Sequence, residues 1–400
     1  MITQDQPPVS THTSAQTTSE PQSATGPGAS SFPSSRYYKR YVRRQSLWQV
    51  IVSPFGVLSM AVILMVALLS FGIGASAANG AYGTPSTASN SSSSATNTGS
   101  TQPTPAASIP DATRSYGNQI LPYTIDHDGA KHFTMTAEQV MWEVVKGVRV
   151  LAWTINGTVP GPMIRVTAGD HVRITLINHF PKPTALHWHG LEVPSNQDGV
   201  PGVGMKPVMP GQTYVYDFRV TDQDVGTHWY HSHYDDQEQV GAGMYGAFIV
   251  DPRPGTPQYQ QQQALHINAE YTEFIGTLPG GWYVINGKSF PDTQPILVKH
   301  GQTVHLRLIG ADTMMIHPMH IHGHTYTVIA EDGHMLPPAA RYQKDTIQVA
   351  PGETYDATFY AWAAPGSVYP LHCHILSHLM NPNQSGDEMG GLITLIKYAS

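Results

Sequence analysis

The chain has 400 residues, a formal net charge of −7, 12% charged residues, 37 Gly and 32 Pro. That length leaves room for two domains plus unstructured segments, and the net negative charge, with no basic block in the C-terminal two-thirds, argues against a nucleic-acid partner. One Cys excludes an intramolecular disulfide, whereas 21 His suit a metal site.

In chain order, residues 1–47 open with a Ser, Thr, Gln and Pro-rich stretch that reads as disordered, followed by the basic cluster Arg36, Lys39, Arg40, Arg43 and Arg44. From Gln45 to Pro110 there is no charged residue. Within residues 48–78, Val50 to Ala75 is apolar and long enough to span a bilayer. The basic flank should remain cytoplasmic, which places the rest of the chain outside. Ala75-Ser76-Ala77 offers a cleavage site, which would release a secreted form. The long segment ahead of the apolar run favours an uncleaved anchor over a signal peptide. Residues 79–115 are a flexible tether of Ser, Thr, Asn, Ala, Gly and Pro.

Folded structure is expected from near Tyr116. Segments such as Val172-Arg173-Ile174-Thr175-Leu176 alternate with period two, and Pro/Gly turns such as Val159-Pro160-Gly161-Pro162 separate them. The reading is all-β, with one short helix expected over Glu138 to Val145. An internal repeat organises this region. Ile155-Asn156-Gly157 recurs as Ile285-Asn286-Gly287, and His187-Trp188-His189-Gly190 as His320-Ile321-His322-Gly323. Pro210-Gly211-Gln212-Thr213-Tyr214 recurs as Pro351-Gly352-Glu353-Thr354-Tyr355, and His231-Ser232-His233 as His372-Cys373-His374. Order is kept while the offset grows from 130 to 141. Two similar β domains follow, residues 116–255 and 256–400, joined by a Pro- and Gln-rich linker near Asp251 to Gln263. Two sheets packed face to face suit this many short strands.

The second domain ends in Leu371-His372-Cys373-His374-Ile375-Leu376-Ser377-His378. Neighbouring side chains of a strand point to opposite faces, so Cys373 and His378 can serve one metal while His372 and His374 face others. A thiolate with imidazoles suits copper, and two His with Cys and a weak axial Met form the blue-copper set. A lone buried Cys is ordinarily a small core residue. Three further His clusters upstream weigh against that reading here. The mononuclear site draws on His317, Cys373, His378 and an axial group, where the first domain carries Thr184, Ser232 and Gln237. The pairs His187/His189, His231/His233, His320/His322 and His372/His374 supply eight further imidazoles, four per domain.

With HWHG at 187, HSH at 231, HPMHIHGH at 317 and HCHILSH at 372, the chain resembles a multicopper oxidase over about residues 116–398. The resemblance implies two cupredoxin-like Greek-key sandwiches and copper as cofactor, in type 1, type 2 and paired type 3 sites. It implies type 1 ligation by His317, Cys373 and His378, and type 2 ligation by His187 and His320. His189, His231, His233, His322, His372 and His374 would hold the type 3 pair. The axial ligand is expected to be Met389, whose Met389-Gly390-Gly391 is aligned with Met244-Tyr245-Gly246, with Met380 and Leu392 as competitors. Asp198 matches the family's acid beside the cluster and competes with a plain Asp-Gly turn. Leu376 stands where the family often has a second acid, leaving Asp235, Asp236 and Glu238 as other proton donors. His228, His266, His305, His324 and His334 read as structural or exposed, and Trp188 and Trp229 as core packing.

The implied activity is that of a laccase: one-electron oxidation of phenols or similar small reductants, coupled to reduction of dioxygen to water, with Cys373 and Asp198 carrying electrons and protons. A cuprous or manganous ion as reductant is a second reading, although no Met-rich insertion is visible near His317 or His378. Copper nitrite reductase fits less well, because its type 1 site lies in the first domain, where Ser232 replaces Cys. A non-enzymatic copper scaffold conflicts with the complete ligand set. Since each domain holds half of the cluster, the resemblance to small family members implies a head-to-tail homotrimer.

Overall fold

The computed structural model describes residues 108–384 and 388–400. The apolar segment Val50 to Ala75, the basic cluster and nearly all of the tether lie outside the described residues. No described helix is long and apolar enough to cross a membrane.

Strand His171–Asn178 shows how the alternating sequence becomes a sheet: Val172, Ile174 and Leu176 are buried while Arg173 and Thr175 face outward. It lies between Lys131–Val145, in parallel, and Thr213–Arg219, antiparallel. Thr124–Ile125 and Val148–Ile155 complete this sheet against Lys131–Val145. The facing sheet is Ile164–Thr167, Tyr245–Asp251, Gly226–Ser232 and Leu186–His189. Phe133, Trp188, Tyr216 and Phe248 fill the space between the two sheets, with Trp188 edge-on to Tyr216 at 5.0 Å.

The second sandwich repeats the plan. One sheet runs Trp282–Ile285, Ala269–Leu278, Thr303–Gly310, Thr354–Tyr360 and Tyr326–Glu331, with His334–Met335 and Tyr342–Lys344 paired to the last. The other runs Ile296–Val298, Ile393–Tyr398, Val368–Cys373, His317–Ile321 and Thr346–Val349. Its core includes Leu306, Met319, Tyr326, Phe359 and Cys373.

The helix expected over Glu138 to Val145 is instead the second half of the 15-residue strand Lys131–Val145. The buried residues in this half are Val140, Trp142 and Val144, a period of two. They enter a third apolar cluster between the sandwiches, with Trp229, Tyr245, Phe274, Trp282 and Ile309. A helix there would turn part of this apolar row to solvent. The linker forms a short helix, Pro257–Gln263, whose first turn is capped by Thr256 accepting the Tyr259 N–H. Polar and charged side chains also bridge the domains. Arg165 of the first sandwich bonds Glu270 of the second, and Thr227 of the first donates to Asp356 of the second. The two sandwiches therefore pack through both apolar and ionic contacts.

Candidate metal centres

Residues His317, Cys373 and His378 come together as the motif implied. His317 opens strand His317–Ile321 and Cys373 ends its antiparallel neighbour Val368–Cys373, in the register Met319 opposite Cys373. The chain then turns through a short 3₁₀ segment, Leu376–Leu379, which returns His378 to the thiol. Cys373 Sγ lies 3.8 Å from His317 Nδ1 and 3.6 Å from His378 Nδ1, and the two imidazole nitrogens are 3.2 Å apart. His317 and Cys373 are fully buried and His378 is 4% exposed.

The donor set passes a chemical test for a soft metal. Burial pushes the Cys373 thiol up to about 11, so at neutral pH this thiol ionises only if a cation sits beside it. Burial, and His317 next to it, hold His378 below the usual imidazole range and keep it in the neutral, ligating form. The backbone N–H of Ile375 points at Sγ, 3.4 Å away. His317 is oriented from behind by Asp312, whose Oδ2 is 3.1 Å from Nε2. Burial would raise the Asp312 carboxyl, but hydrogen bonds from His317, Thr277 and the backbone N–H groups of Met314 and Met315 hold it at about 2. Asp312 carries no motif that would have revealed it in the sequence.

The axial expectation is corrected. Met389 is 62% exposed and Met380 43% exposed, whereas Leu392 is fully buried in the core cluster that contains Cys373. Leu392 donates its N–H to the His378 carbonyl at 3.0 Å and accepts the Cys373 N–H at 3.0 Å. In the first domain Met244 donates to Gln239 at 3.0 Å and accepts from Ser232 at 3.2 Å. Matching these bonds pairs Leu392 with Met244 and His378 with Gln239. The aligned Met389 is therefore three residues out of register, and Leu392 is the residue that stands at the position of Met244. The same comparison replaces Gln237, which is exposed, by Gln239. Thr184 and Ser232 both donate to Gln239 Oε1 at 2.7 Å, and all three are fully buried. The first domain keeps the frame of the triad but fills it with a closed hydrogen-bond network.

The eight remaining histidines form two quartets. In the first domain His187 sits directly opposite His231 on neighbouring strands. Their rings lie 5.2 Å apart, and His189 and His233 approach His187 at 5.8 and 5.5 Å. In the second domain His320 sits opposite His372, with ring distances of 5.7 Å to His372, 4.8 Å to His322 and 5.6 Å to His374. Alternate residues of a strand share a face, which is why each HxH pair turns both rings the same way. The anchoring bonds repeat as well. His231 Nδ1 donates to the Ser232 carbonyl and His372 Nδ1 to the Cys373 carbonyl, both at 2.7 Å, which turns each Nε2 toward a neighbouring quartet imidazole, as shared ligation requires.

His187 Nδ1 donates to the Asp198 carbonyl at 2.8 Å, and the Asp198 carboxylate is 3.3 Å away. His320 Nδ1 donates to the Asp345 carbonyl at 2.9 Å. Asp345 is thus the second-domain counterpart of Asp198. The sequence hid it, because it lies 25 residues after its histidine, against 11 for Asp198. Of the other acids considered, Asp235 and Glu238 are engaged by Lys182, and Asp236 lies 3.8 Å from His233 Nδ1. Burial holds His189 down to about 4 and His231 to about 3, with neighbouring imidazoles adding to the effect. Trp229 packs against both, its ring 5.0 Å from His189 and 4.4 Å from His231. Trp188 is buried in the first core. His228, His305 and His324 are buried outside the quartets, His228 on the Asp224 carbonyl and His324 between the His322 carbonyl and the Tyr398 hydroxyl, and His266 and His334 are exposed.

Among the described residues, every ring contact of a quartet histidine with another histidine stays within its own quartet. Each domain thus presents one quartet, and among the described residues no ring contact joins the two.

Sequence models of the multicopper oxidase family match residues 136–255 and 256–382. A solved blue copper oxidase from Nitrosomonas europaea is 32% identical, with a TM-score of 0.59, covering 67% of this chain and 85% of that one. The chain belongs to the multicopper oxidase family.

Its all-β sandwiches are the cupredoxin-like ones of the multicopper oxidases, and copper is the metal that the triad and the quartets are built to hold. Laccase-15 of Oryza sativa subsp. japonica is 32% identical over 247 residues, 55% of this chain and 40% of that protein. Copper resistance protein A of Pseudomonas syringae pv. tomato is 29% identical over 268 residues, 53% of this chain and 43% of that protein. The matched region thus spans about two-fifths of these curated relatives.

Proposed function

We propose that this multicopper oxidase is laccase-like, taking single electrons from phenolic or similar small reductants and passing them to dioxygen. His317, Cys373 and His378 hold the type 1 copper. His187 and His320 hold type 2, and His189, His231, His233, His322, His372 and His374 hold the type 3 pair. Copper supplies one-electron acceptance at the first site and four-electron reduction of dioxygen to water at the cluster. The observation that carries this reading is the segment His372-Cys373-His374. It places a type 1 thiol in the main chain between two cluster imidazoles, a covalent bridge from one site to the other.

The chain's own residues do the rest. Cys373 joins the two sites, and the carbonyls of Asp198, Asp345, Ser232 and Cys373 fix the ring orientations. Asp198 can hold a proton 3.3 Å from His187 Nδ1. The polar network of Thr184, Ser232 and Gln239 has no thiolate, which counts against a nitrite-reductase arrangement. Because each quartet is half of a cluster, the working form is a head-to-tail ring, a homotrimer in which the first domain of one subunit faces the second domain of the next.

The test is dioxygen uptake by the copper-loaded protein with a phenol panel beside Cu(I), Mn(II) and Fe(II). Phenol-dependent uptake is expected, with water as product. Turnover confined to Cu(I) would replace the laccase reading by cuprous oxidation. That second reading is favoured by the exposed Met314 and Met380, since thioethers select Cu(I).

A further inference from the structure

The type 1 ligands are sealed from solvent: His317 and Cys373 are 0% exposed and His378 4%. A reductant cannot lie directly against the thiol or His317 and barely reaches His378. One side chain leads outward from His378. The Tyr283 ring stacks on the His378 imidazole with centroids 4.0 Å apart and planes at 22°, the closest ring pair among the described residues. Tyr283 itself is partly exposed, and its hydroxyl lies 3.9 Å from Met315 Sδ.

Its placement is firm. Tyr283 pairs with Thr277 in the sheet, and its carbonyl accepts the Ser289 hydroxyl. Thr277 in turn donates to Asp312, which holds His317. Both type 1 imidazoles are therefore braced by one small unit, and within it Tyr283 is the aromatic member that reaches solvent. The first domain provides a contrast. The Ile155/Ile285 repeat puts Trp153 at the position of Tyr283, above a frame that has Gln239 in place of His378. There the aromatic ring is 4% exposed and packs on Phe180 at 4.5 Å. The outward-facing aromatic occurs in the domain that has a copper site beneath it.

The side chains that flank the ligands along the chain are apolar and exposed: Met314 73%, Ile316 49%, Leu376 70% and Met380 43%. No charged residue occurs in 313–317 or 375–384. An uncharged aromatic molecule fits such an apolar surface.

We infer that Tyr283 is the electron entry port of the type 1 site, and that small uncharged aromatic reductants meet it at its exposed edge. The inference rests on the oxidase reading above. One electron leaves the donor and arrives at the type 1 site, which is reduced by one. The donor, now a radical, releases its phenolic proton to water. Tyr283 bridges the two π systems and keeps its own electrons and proton.

The experiment compares Tyr283→Leu and Tyr283→Phe with the native protein, each copper-loaded. It reads copper content, the charge-transfer band, the reduction potential and the anaerobic bleaching rate with hydroquinone. In Tyr283→Leu the band should persist, and the potential should move by less than about 59 mV, the change that alters a one-electron equilibrium tenfold. Bleaching should slow by more than about tenfold. Tyr283→Phe, which keeps the ring, should bleach near the native rate. Native-rate bleaching in Tyr283→Leu overturns the port. So does loss of the band, or a potential shift large enough to explain the slowing, because Tyr283 would then only brace His378. Faster bleaching by a charged donor such as ferrocyanide than by hydroquinone, falling steeply with added salt, overturns the uncharged-substrate assignment. A native protein with no blue band or no bleaching would instead sink the oxidase reading itself.

Discussion

Glu273 offers a prediction with a magnitude. It sits 4% exposed in the strand that also carries Thr277, on the sheet that braces the type 1 site. Its Oε2 accepts a hydrogen bond from Asn286 at 2.7 Å, and burial raises its carboxyl from 4.5 to about 8. In the first domain Asn156 bonds the Thr136 N–H as Asn286 bonds that of Phe274, so Met135, fully buried, takes the place of Glu273. Between pH 4.5 and about 8 the folded chain keeps a proton on Glu273 that the unfolded chain has lost. Stability therefore falls as pH rises through that window. At about 1.4 kcal/mol per pH unit, the loss by pH 7 is on the order of 3 kcal/mol. Replacing Glu273 by Met removes that loss and gives up one hydrogen bond of about 1 kcal/mol, while Asn286 Nδ2 keeps its bond to the Thr272 carbonyl. The variant should be more stable than the native chain by roughly 2 kcal/mol at pH 7, and close to it or slightly less stable near pH 4.5. Thermal melts of the metal-free protein across that range provide the assay. A gap of about 4 °C or more is expected at pH 7, from the usual dependence of Tm on stability. A difference in Tm that does not widen from pH 5 to pH 8 would refute the reasoning.

Replacing Cys373 with Ser removes the thiolate, so the protein should lose its blue absorption and its turnover but still bind copper at the histidine clusters; a variant that stays blue would mean the ligand assignment is wrong. Leu392→Met should lower the type 1 potential in a redox titration by adding an axial thioether, at a packing cost below about 1.5 kcal/mol, whereas Met389→Leu should leave the potential unchanged; the opposite pattern would restore Met389. Light scattering on copper-loaded residues 108–400 should report a trimer, and separating the subunits should remove type 2 and type 3 copper while sparing the blue band. A fully active monomer would eliminate the ring.

The ligand motifs were legible in the sequence because their chemistry is local. His372, Cys373, His374 and His378 lie within seven residues, and strand alternation alone sends the thiol one way and its neighbouring imidazoles the other. The internal repeat likewise showed which domain lacks the thiol. Three things needed the tertiary structure. The segment Glu138 to Val145 has apolar spacing short enough to suit either period, and it became a strand because its apolar row is covered by Phe274 and Trp282 from the other domain. The residue equivalent to Met244 lies beyond a loop whose length differs between the domains, so counting along the chain pointed to Met389; backbone hydrogen bonds to His378 and Cys373 put Leu392 at that position instead. Asp312, Asp345 and Tyr283 carry no motif at all. Each acts through a contact with a ligand ring that arrives from a different strand or loop, and such contacts are settled by how the sheets pack, which neither periodicity nor spacing in one chain encodes.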